Sequence, residues 1–140
     1  MTLQGEVLLD GPAVTGESLV LTAPISFWGG VDPKSGAIAD PRHPQHRAEV
    51  AGRVLMIPAT VGSSSASAIL LELVHAKRSP AAIVLHEPDA ILLLGLVVAK
   101  EMGLVTPISL QLDRGQFAHF HDSFVEVSSS GVISRRVFVA

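Results

Sequence analysis

The chain has 140 residues, of which 48% are hydrophobic and 16% charged, and its formal net charge at pH 7 is −3. This length suits a single domain, residues 1–140, with a sizeable core. The weakly acidic balance, without a lysine–arginine cluster, argues against nucleic-acid binding, and the absence of cysteine excludes disulfides, a thiolate nucleophile and iron–sulfur ligands on this chain.

Targeting and membrane signals are weak. The first residues lack a basic stretch followed by an apolar core, so no signal peptide is predicted. The most apolar run, 90–99, is about half as long as a membrane span. We therefore expect no membrane partner and a soluble, cytoplasmic protein. The low charge fraction leaves two readings open: a surface partly covered by another chain, or a monomer with a generous core.

Hydrophobic periodicity predicts strands at both ends of the chain and alternating strands and helices in the middle. The predicted strands are 3–9, 18–22, 50–57, 81–85, 105–110, 124–128 and 132–139. The predicted helices are 68–77 and 90–102, and the second is so apolar that we expect it to be buried on most sides. The alternation in the middle favours parallel crossovers, and the last two strands form a hairpin around 129–131.

Residues 29–47 form a long irregular stretch rich in glycine, proline, aspartate and histidine. A loop of this length inside a compact domain is usually functional or disordered. Disordered segments are usually of low complexity or highly charged, and this one is neither. We therefore predict an ordered, functional loop.

A serine-rich turn follows the predicted strand 50–57. Four serines, Ser63, Ser64, Ser65 and Ser67, lie where this strand passes into the next helix. Serines at such a point cap helices well. The same turn would also present backbone N–H groups and the positive end of the helix dipole to an anion or a serine alkoxide. The residues alone leave both interpretations open.

Other catalytic motifs are missing from the sequence. It contains neither glycine-rich nucleotide-binding pattern, and the serine turn lacks the second glycine of a G-x-S-x-G elbow. The pairs His43/His46 and His119/His121 have short, ligand-like spacing. No further ligand falls at a recognised spacing, so surface histidines are the favoured interpretation and no metal site is expected on this chain.

Several motifs in one order resemble a known family. They are Gly29-Gly-Val-Asp32, Gly36-Ala-Ile-Ala-Asp40, His43-Pro44 and Gly62-Ser-Ser64. Together, over roughly residues 5–138, they resemble the small subunit of the aconitase X dehydratases, the swivel domain of aconitase-like enzymes. The resemblance implies an α/β fold of the β/β/α swivel type, with a mixed, barrel-like sheet and two main helices.

The resemblance also implies a function. The chain would be the small subunit of a hydro-lyase that is active only as a heterodimer with a large subunit. That large subunit would hold an iron–sulfur cluster or iron. Ser63 would act as the catalytic base. Ser64, Ser65, Asp32 and His43 would bind substrate. Aconitase itself has an arginine two residues after its serine, where this chain has Ser65.

Two substrates are known for the family this sequence resembles. Bacterial members dehydrate cis-3-hydroxy-L-proline to Δ1-pyrroline-2-carboxylate, and archaeal members dehydrate phosphomevalonate. A charge content of 16% is unlike the ion-pair-rich surface of a hyperthermophile, which favours the hydroxyproline enzyme. Two other readings stay open: a stand-alone anion-binding module and a purely structural partner.

Overall fold

A computed structural model describes residues 2–62 and 64–136. Its strands are β1 (Thr2–Gln4), β2 (Glu6–Leu9), β3 (Val14–Val20), β4 (Val54–Ile57), β5 (Ala82–Leu85), β6 (Ile108–Gln111), β7 (Phe124–Val127) and β8 (Val132–Arg136). The helical segments are a single turn α1 (Phe27–Gly30), α2 (Ala66–His75), α3 (Ala90–Glu101) and a 3₁₀ helix η1 (Arg114–Phe120).

The strands form one mixed sheet in the order β1-β8-β7-β3-β4-β5-β6-β2. The central strands β3, β4, β5 and β6 run parallel, and α2 and α3 supply the last two crossovers between them. The remaining pairs are antiparallel, including the β7–β8 hairpin. The predicted α/β centre and the hairpin are confirmed as far as Arg136, and residues 137–139 of the predicted last strand lie outside the described part.

The two ends of the sheet are joined through Gly5. The prediction of one strand over 3–9 was wrong, because β1 pairs with β8 while β2 pairs with β6 at the opposite end of the sheet. The Gly5 N–H donates to the carbonyl of Gly131 at 2.8 Å. A Cβ on Gly131, whose φ is +88°, would lie 2.8 Å from the Gly5 carbonyl oxygen. Glycine is therefore required where the chain crosses over and curls the sheet into a barrel.

Side chains of the parallel strands alternate between two cores. On β4, Leu55 and Ile57 pack against the helices, while Val54 and Met56 point into the barrel. The barrel interior is completed by residues of the antiparallel strands and of η1, including Phe120. The result is three layers, antiparallel strands, parallel strands and helices, so the predicted β/β/α architecture with two main helices is confirmed.

Three strand predictions had clearly wrong boundaries, and one of them, over 105–110, is β6, which begins only at Ile108. The strand predicted over 18–22 is β3, which begins at Val14 and ends at Val20. The strand predicted over 50–57 begins only at Val54, because Gly52 adopts a φ of +70° and donates its N–H to Ser79. No helix in residues 2–62 and 64–136 is both long and apolar enough to cross a bilayer.

Helices α2 and α3 pack closely at Gly95. A Cβ at this position would overlap the backbone carbonyl of Ser67 in the first turn of α2. The inner face of α3 is buried, but Ile91, Leu94 and Met102 are 51%, 54% and 56% exposed. The prediction that this helix is buried on most sides was therefore wrong. Its apolar character is not explained by the core of this chain.

Gly95→Ala is expected to destabilise the fold and to displace the start of α2. Alanine favours a helix by about 1 kcal/mol over glycine. The overlap with a backbone carbonyl cannot be relieved by rotating a side chain, so we expect the free energy of unfolding to fall by about 2 kcal/mol in total. Chemical denaturation measures this loss. Gly30→Ala is the control, because its Cβ would meet only ordinary contacts. Equal stability of Gly95→Ala and the original chain would contradict the tight packing.

Candidate functional site

The segments that leave the parallel strands meet at one edge of the sheet. After β3 and β4 the two chains continue to pair, with the Ile25 N–H donating to the Ala59 carbonyl at 3.1 Å and the Val61 N–H to the Ile25 carbonyl at 2.9 Å. The Thr60 hydroxyl donates to Asp89 Oδ2 at 2.6 Å, and Asp89 Oδ1 accepts the Leu92 N–H that begins α3. Three strand exits are thereby tied together.

A type II turn presents the single tryptophan of the chain at this edge. Trp28 (φ −74°, ψ 111°) and Gly29 (φ 77°, ψ −16°) occupy the two central positions, and the second of these requires glycine. Phe27 is buried beneath the turn, whereas Trp28 is 59% exposed. The family-like Gly29 is thus explained by backbone conformation, and it positions the indole beside the cleft described below.

The loop predicted to be ordered is held by its own backbone. The Arg47 N–H donates to Ile38 at 2.9 Å and the Val50 N–H to Gly36 at 2.8 Å. The side chains of Ile38 and Val50 are buried in the core next to the helices. The prediction of an ordered loop is confirmed, and the loop is part of the fold rather than a flap above it.

Two aspartates close tight turns within this loop. Asp32 Oδ1 accepts the Lys34 N–H and Asp40 Oδ1 accepts the Arg42 N–H, both at 2.9 Å. Each turn has the sequence aspartate, proline, cation, in which the carboxylate folds back on its own backbone. The backbone N–H of Lys34 lowers the pKa of Asp32, and the backbone N–H of Arg42 lowers the pKa of Asp40. Both carboxylates are therefore kept ionised near neutral pH.

His43 is buried and uses both ring nitrogens within the chain. Nδ1 accepts the Gln45 N–H at 3.0 Å, and Nε2 lies 3.2 Å from the Ala23 carbonyl oxygen. Because a carbonyl only accepts, this arrangement assigns the proton to Nε2 and describes a neutral imidazole. His43 therefore pins the loop to the segment after β3 through both ring nitrogens.

A cleft of about 460 Å³ lies between these segments. It is lined by residues of 24–30 and 39–43 and by Val61, including Asp40, Arg42 and His43. A second cleft, of about 500 Å³, contains Asp32 and Ile69 of α2 and shares Trp28, Gly29 and Ala39 with the first. The structure thus brings the predicted Asp32 and His43 to neighbouring clefts, one on each side of Trp28.

Residues on either side of the serine turn line the clefts, Val61 the first and Ile69 of α2 the second. Ser63, the predicted catalytic base, lies outside the described residues. Ser64 is exposed and Ser65 half-buried at the start of α2, and neither lines the two clefts. The Ser67 hydroxyl donates to the Ser64 carbonyl at 3.1 Å. The first backbone N–H groups of a helix have no partner within that helix, and α2 begins a few residues after Val61.

The described residues do not fit a metal ion. Among residues 2–62 and 64–136 no group of three or more histidine, aspartate or glutamate side chains could hold one.

Arg42 is the cation of the first cleft, and its side chain is 92% exposed and ion-paired with Asp40 at 3.6 Å.

Sequence reasoning missed two features of this edge. One is the bond by which the Thr60 hydroxyl donates to Asp89, the residue that also accepts the first N–H bond of α3. The other is the exposed position of Trp28 beside both clefts. The repeated Asp-Pro-cation pattern would have identified the two aspartates as turn formers.

Comparison with known proteins identifies the architecture. Residues 2–134 match the family model described as "Aconitase X swivel domain". The chain is 47% identical over 108 residues to cis-3-hydroxy-L-proline dehydratase of Pseudomonas aeruginosa, covering 76% of this chain but only 18% of that protein. It is 36% identical over 110 residues to the phosphomevalonate dehydratase small subunit of Pyrococcus furiosus, covering 79% of this chain and 81% of that subunit.

A solved structure agrees with these relatives. The crystal structure of Thermococcus kodakaraensis aconitase X in its holo form superposes with a TM-score of 0.84 at 25% identity, covering 98% of this chain and 99% of the matched chain. The match therefore extends over both β layers and the helices.

Acid titration checks the two aspartate turns. Folded-state pKa values lowered below the ordinary value of about 3.9 mean that the carboxylates stabilise the loop above that pH. The contribution is lost as pH falls through the folded pKa. We expect carboxyl ¹³C titration midpoints below the ordinary aspartate value for Asp32 and Asp40. A midpoint at or above the ordinary value would contradict the turn geometry.

Proposed function

Because the chain belongs to the aconitase X swivel domain family, we propose that it is the small subunit of a cytoplasmic hydro-lyase. The proposed reaction is dehydration of cis-3-hydroxy-L-proline to Δ1-pyrroline-2-carboxylate. The observation that carries the proposal is 47% identity, over three quarters of the chain, to a dehydratase of that substrate. The phosphomevalonate small subunits that also match are 32–41% identical.

The proposed partner is a large subunit. The match covers 18% of the Pseudomonas dehydratase, so about four fifths of that enzyme has no counterpart in this chain. The archaeal relatives of similar length are named small subunits. The residues described here do not fit a metal, so the proposal assigns the iron–sulfur cluster or iron to the large subunit.

In the proposed mechanism, Ser63 removes the proton from C2 of the substrate. The hydroxyl leaves from C3, and the resulting C2=C3 enamine tautomerises to the C=N bond of the product. A serine hydroxyl is a poor base in water and needs its alkoxide stabilised. The start of α2 supports this role, because helix N-termini offer free N–H donors and the positive end of a dipole. Ser64 and Ser65 are proposed to hold the substrate carboxylate at the same turn.

The roles proposed for Asp32 and His43 become more specific. Each is engaged with its own loop, Asp32 with the Lys34 N–H and His43 with the Gln45 N–H and the Ala23 carbonyl. We infer that they shape the substrate cleft and do not exchange protons with the substrate. His43 lines the first cleft and Asp32 the second, and the exposed indole of Trp28 lines both.

Charge at the cleft favours hydroxyproline over phosphomevalonate. A phosphate dianion is best held by converging arginine or lysine side chains. The first cleft offers one, Arg42, which extends into solvent and is neutralised by Asp40. An exposed tryptophan face beside an acidic residue suits the ammonium and ring carbons of an imino acid instead.

Ser63→Ala in the assembled enzyme is expected to lower kcat by several orders of magnitude while the subunits stay together, because the base is lost without loss of packing. Steady-state kinetics and size-exclusion chromatography measure the two effects. Ser129→Ala, on the exposed tip of the β7–β8 hairpin, is the matched control. Near-normal turnover of Ser63→Ala would reject serine as the base.

Substrate preference separates the two dehydratase alternatives. We expect kcat/KM for cis-3-hydroxy-L-proline to exceed that for phosphomevalonate by at least about 100-fold, the discrimination that unpaired phosphate charges provide. The reverse order would identify the phosphomevalonate enzyme. Turnover of neither substrate, with calorimetric binding of a carboxylate or phosphate by the chain, would favour an anion-binding module.

A further inference from the structure

Helix α3 carries a continuous apolar face that no residue in 2–62 or 64–136 covers. We call it the α3 stripe and define it by five side chains that are 40–56% exposed: Ile91, Leu94, Val97, Val98 and Met102. Their spacing places them along one side of the helix over about 16 Å. The only charges of α3, Lys100 and Glu101, lie in its last turn. The stripe therefore presents hydrocarbon along most of its length.

A patch of this kind is unusual on a protein that works alone. Single exposed apolar residues are common, but contiguous ones mark a contact surface. The opposite face of the same helix is fully used, with Leu92, Leu96 and Ala99 buried against the sheet and α2. The α3 stripe is thus an additional apolar face and not a poorly packed part of the core.

The α3 stripe begins at the candidate site. Ile91 is two residues beyond Asp89, whose carboxylate accepts the Thr60 hydroxyl at 2.6 Å. The next residue after Thr60 is Val61, which is 56% exposed and lines the first cleft. Exposed apolar surface is therefore present on both sides of the Thr60–Asp89 bond, from the rim of the cleft to the far end of α3.

We propose that the α3 stripe is the docking face for the large subunit, an inference that rests on the proposed function. This chain matches 18% of the Pseudomonas dehydratase, so most of that enzyme lies outside the matched region. A large subunit that supplies the remainder would be several times as long as this chain. That subunit has to reach the cleft to complete the active site, and the α3 stripe is the apolar surface continuous with the cleft rim. A second copy of this chain on the stripe would compete with the large subunit for the rim.

The α3 stripe also has the composition expected at the centre of an interface. A standard interface buries about 800 Å² on each partner and is centred on a few well-packed apolar residues surrounded by polar ones. The five side chains of the α3 stripe supply such a centre. Lys100 and Glu101 supply a charged border at its carboxyl end. The matching surface of the large subunit is expected to be apolar and uncharged.

Single-cysteine labelling tests the occupant, because the chain has no cysteine of its own. Val98→Cys is a mild change on the α3 stripe. Ala118→Cys, on the exposed side of η1, is the control. Thiol alkylation of each variant in the assembled enzyme is followed by mass spectrometry of this chain, relative to the rate in denaturant. We expect labelling to be slowed at least about tenfold for Val98→Cys and much less for Ala118→Cys.

Charge insertion tests the contribution to assembly. Leu94→Glu is expected to weaken binding of the large subunit at least about 30-fold, the effect of losing one central interface residue. Ala118→Glu adds the same charge on the other side of the molecule and is expected to leave binding unchanged. Equal binding by both variants, or full labelling of Val98→Cys in the complex, overturns the proposal. Disulfide-linked dimers of the Val98→Cys chain within the native assembly would identify a second copy instead.

These outcomes are separable from the proposed activity. A complex that dehydrates hydroxyproline while Val98→Cys reacts freely rejects the docking face and keeps the function. A complex that protects Val98→Cys but turns over no hydroxy acid keeps the docking face and rejects the function. Failure of the two chains to associate rejects both.

Discussion

The crossing at Gly5 determines how the sheet is arranged. Because β1 and β2 are separated by one residue yet pair with β8 and β6, the sheet has to curl until its two ends meet. Gly131 faces Gly5 there and leaves no room for a Cβ. The closure leaves β6 and β8 each paired on both sides, while the short strands β1 and β2 at the two ends of the order each pair on one side. The parallel strands inside this ring then direct their carboxyl ends to one side, where the candidate site lies.

A site built at strand ends needs those ends to be rigid. Here β3 and β4 continue to pair through Ile25, Ala59 and Val61, and Asp89 joins the segment after β4 to the start of α3. His43 fastens the long loop to the segment after β3, and the two aspartate turns fix the loop internally. The side chains of Asp89, His43 and the two aspartates are thus engaged in fixing backbone. Because this edge is already ordered, binding of a substrate or a partner there costs little additional conformational entropy.

Local patterns predicted the middle of the chain well, because β4, β5, α2 and α3 are apolar runs bounded by glycine, proline or a capping aspartate. Patterns failed where the outcome depends on distant partners. The division of 3–9 at Gly5 follows from pairing with strands more than 100 residues away. The loop motifs lie together at one edge of the sheet, but the engagement of both nitrogens of His43 can be recognised only in the tertiary structure.

The low charge content left open a covered surface or a large core, and α3 has features of both. An apolar helix has the same sequence pattern whether a sheet or another polypeptide covers its second face, so periodicity alone could not distinguish the two. In the fold, one face of α3 fills the core and the other is exposed. Part of the hydrocarbon in the composition therefore lies at the surface, on the helix that Asp89 caps at the candidate site.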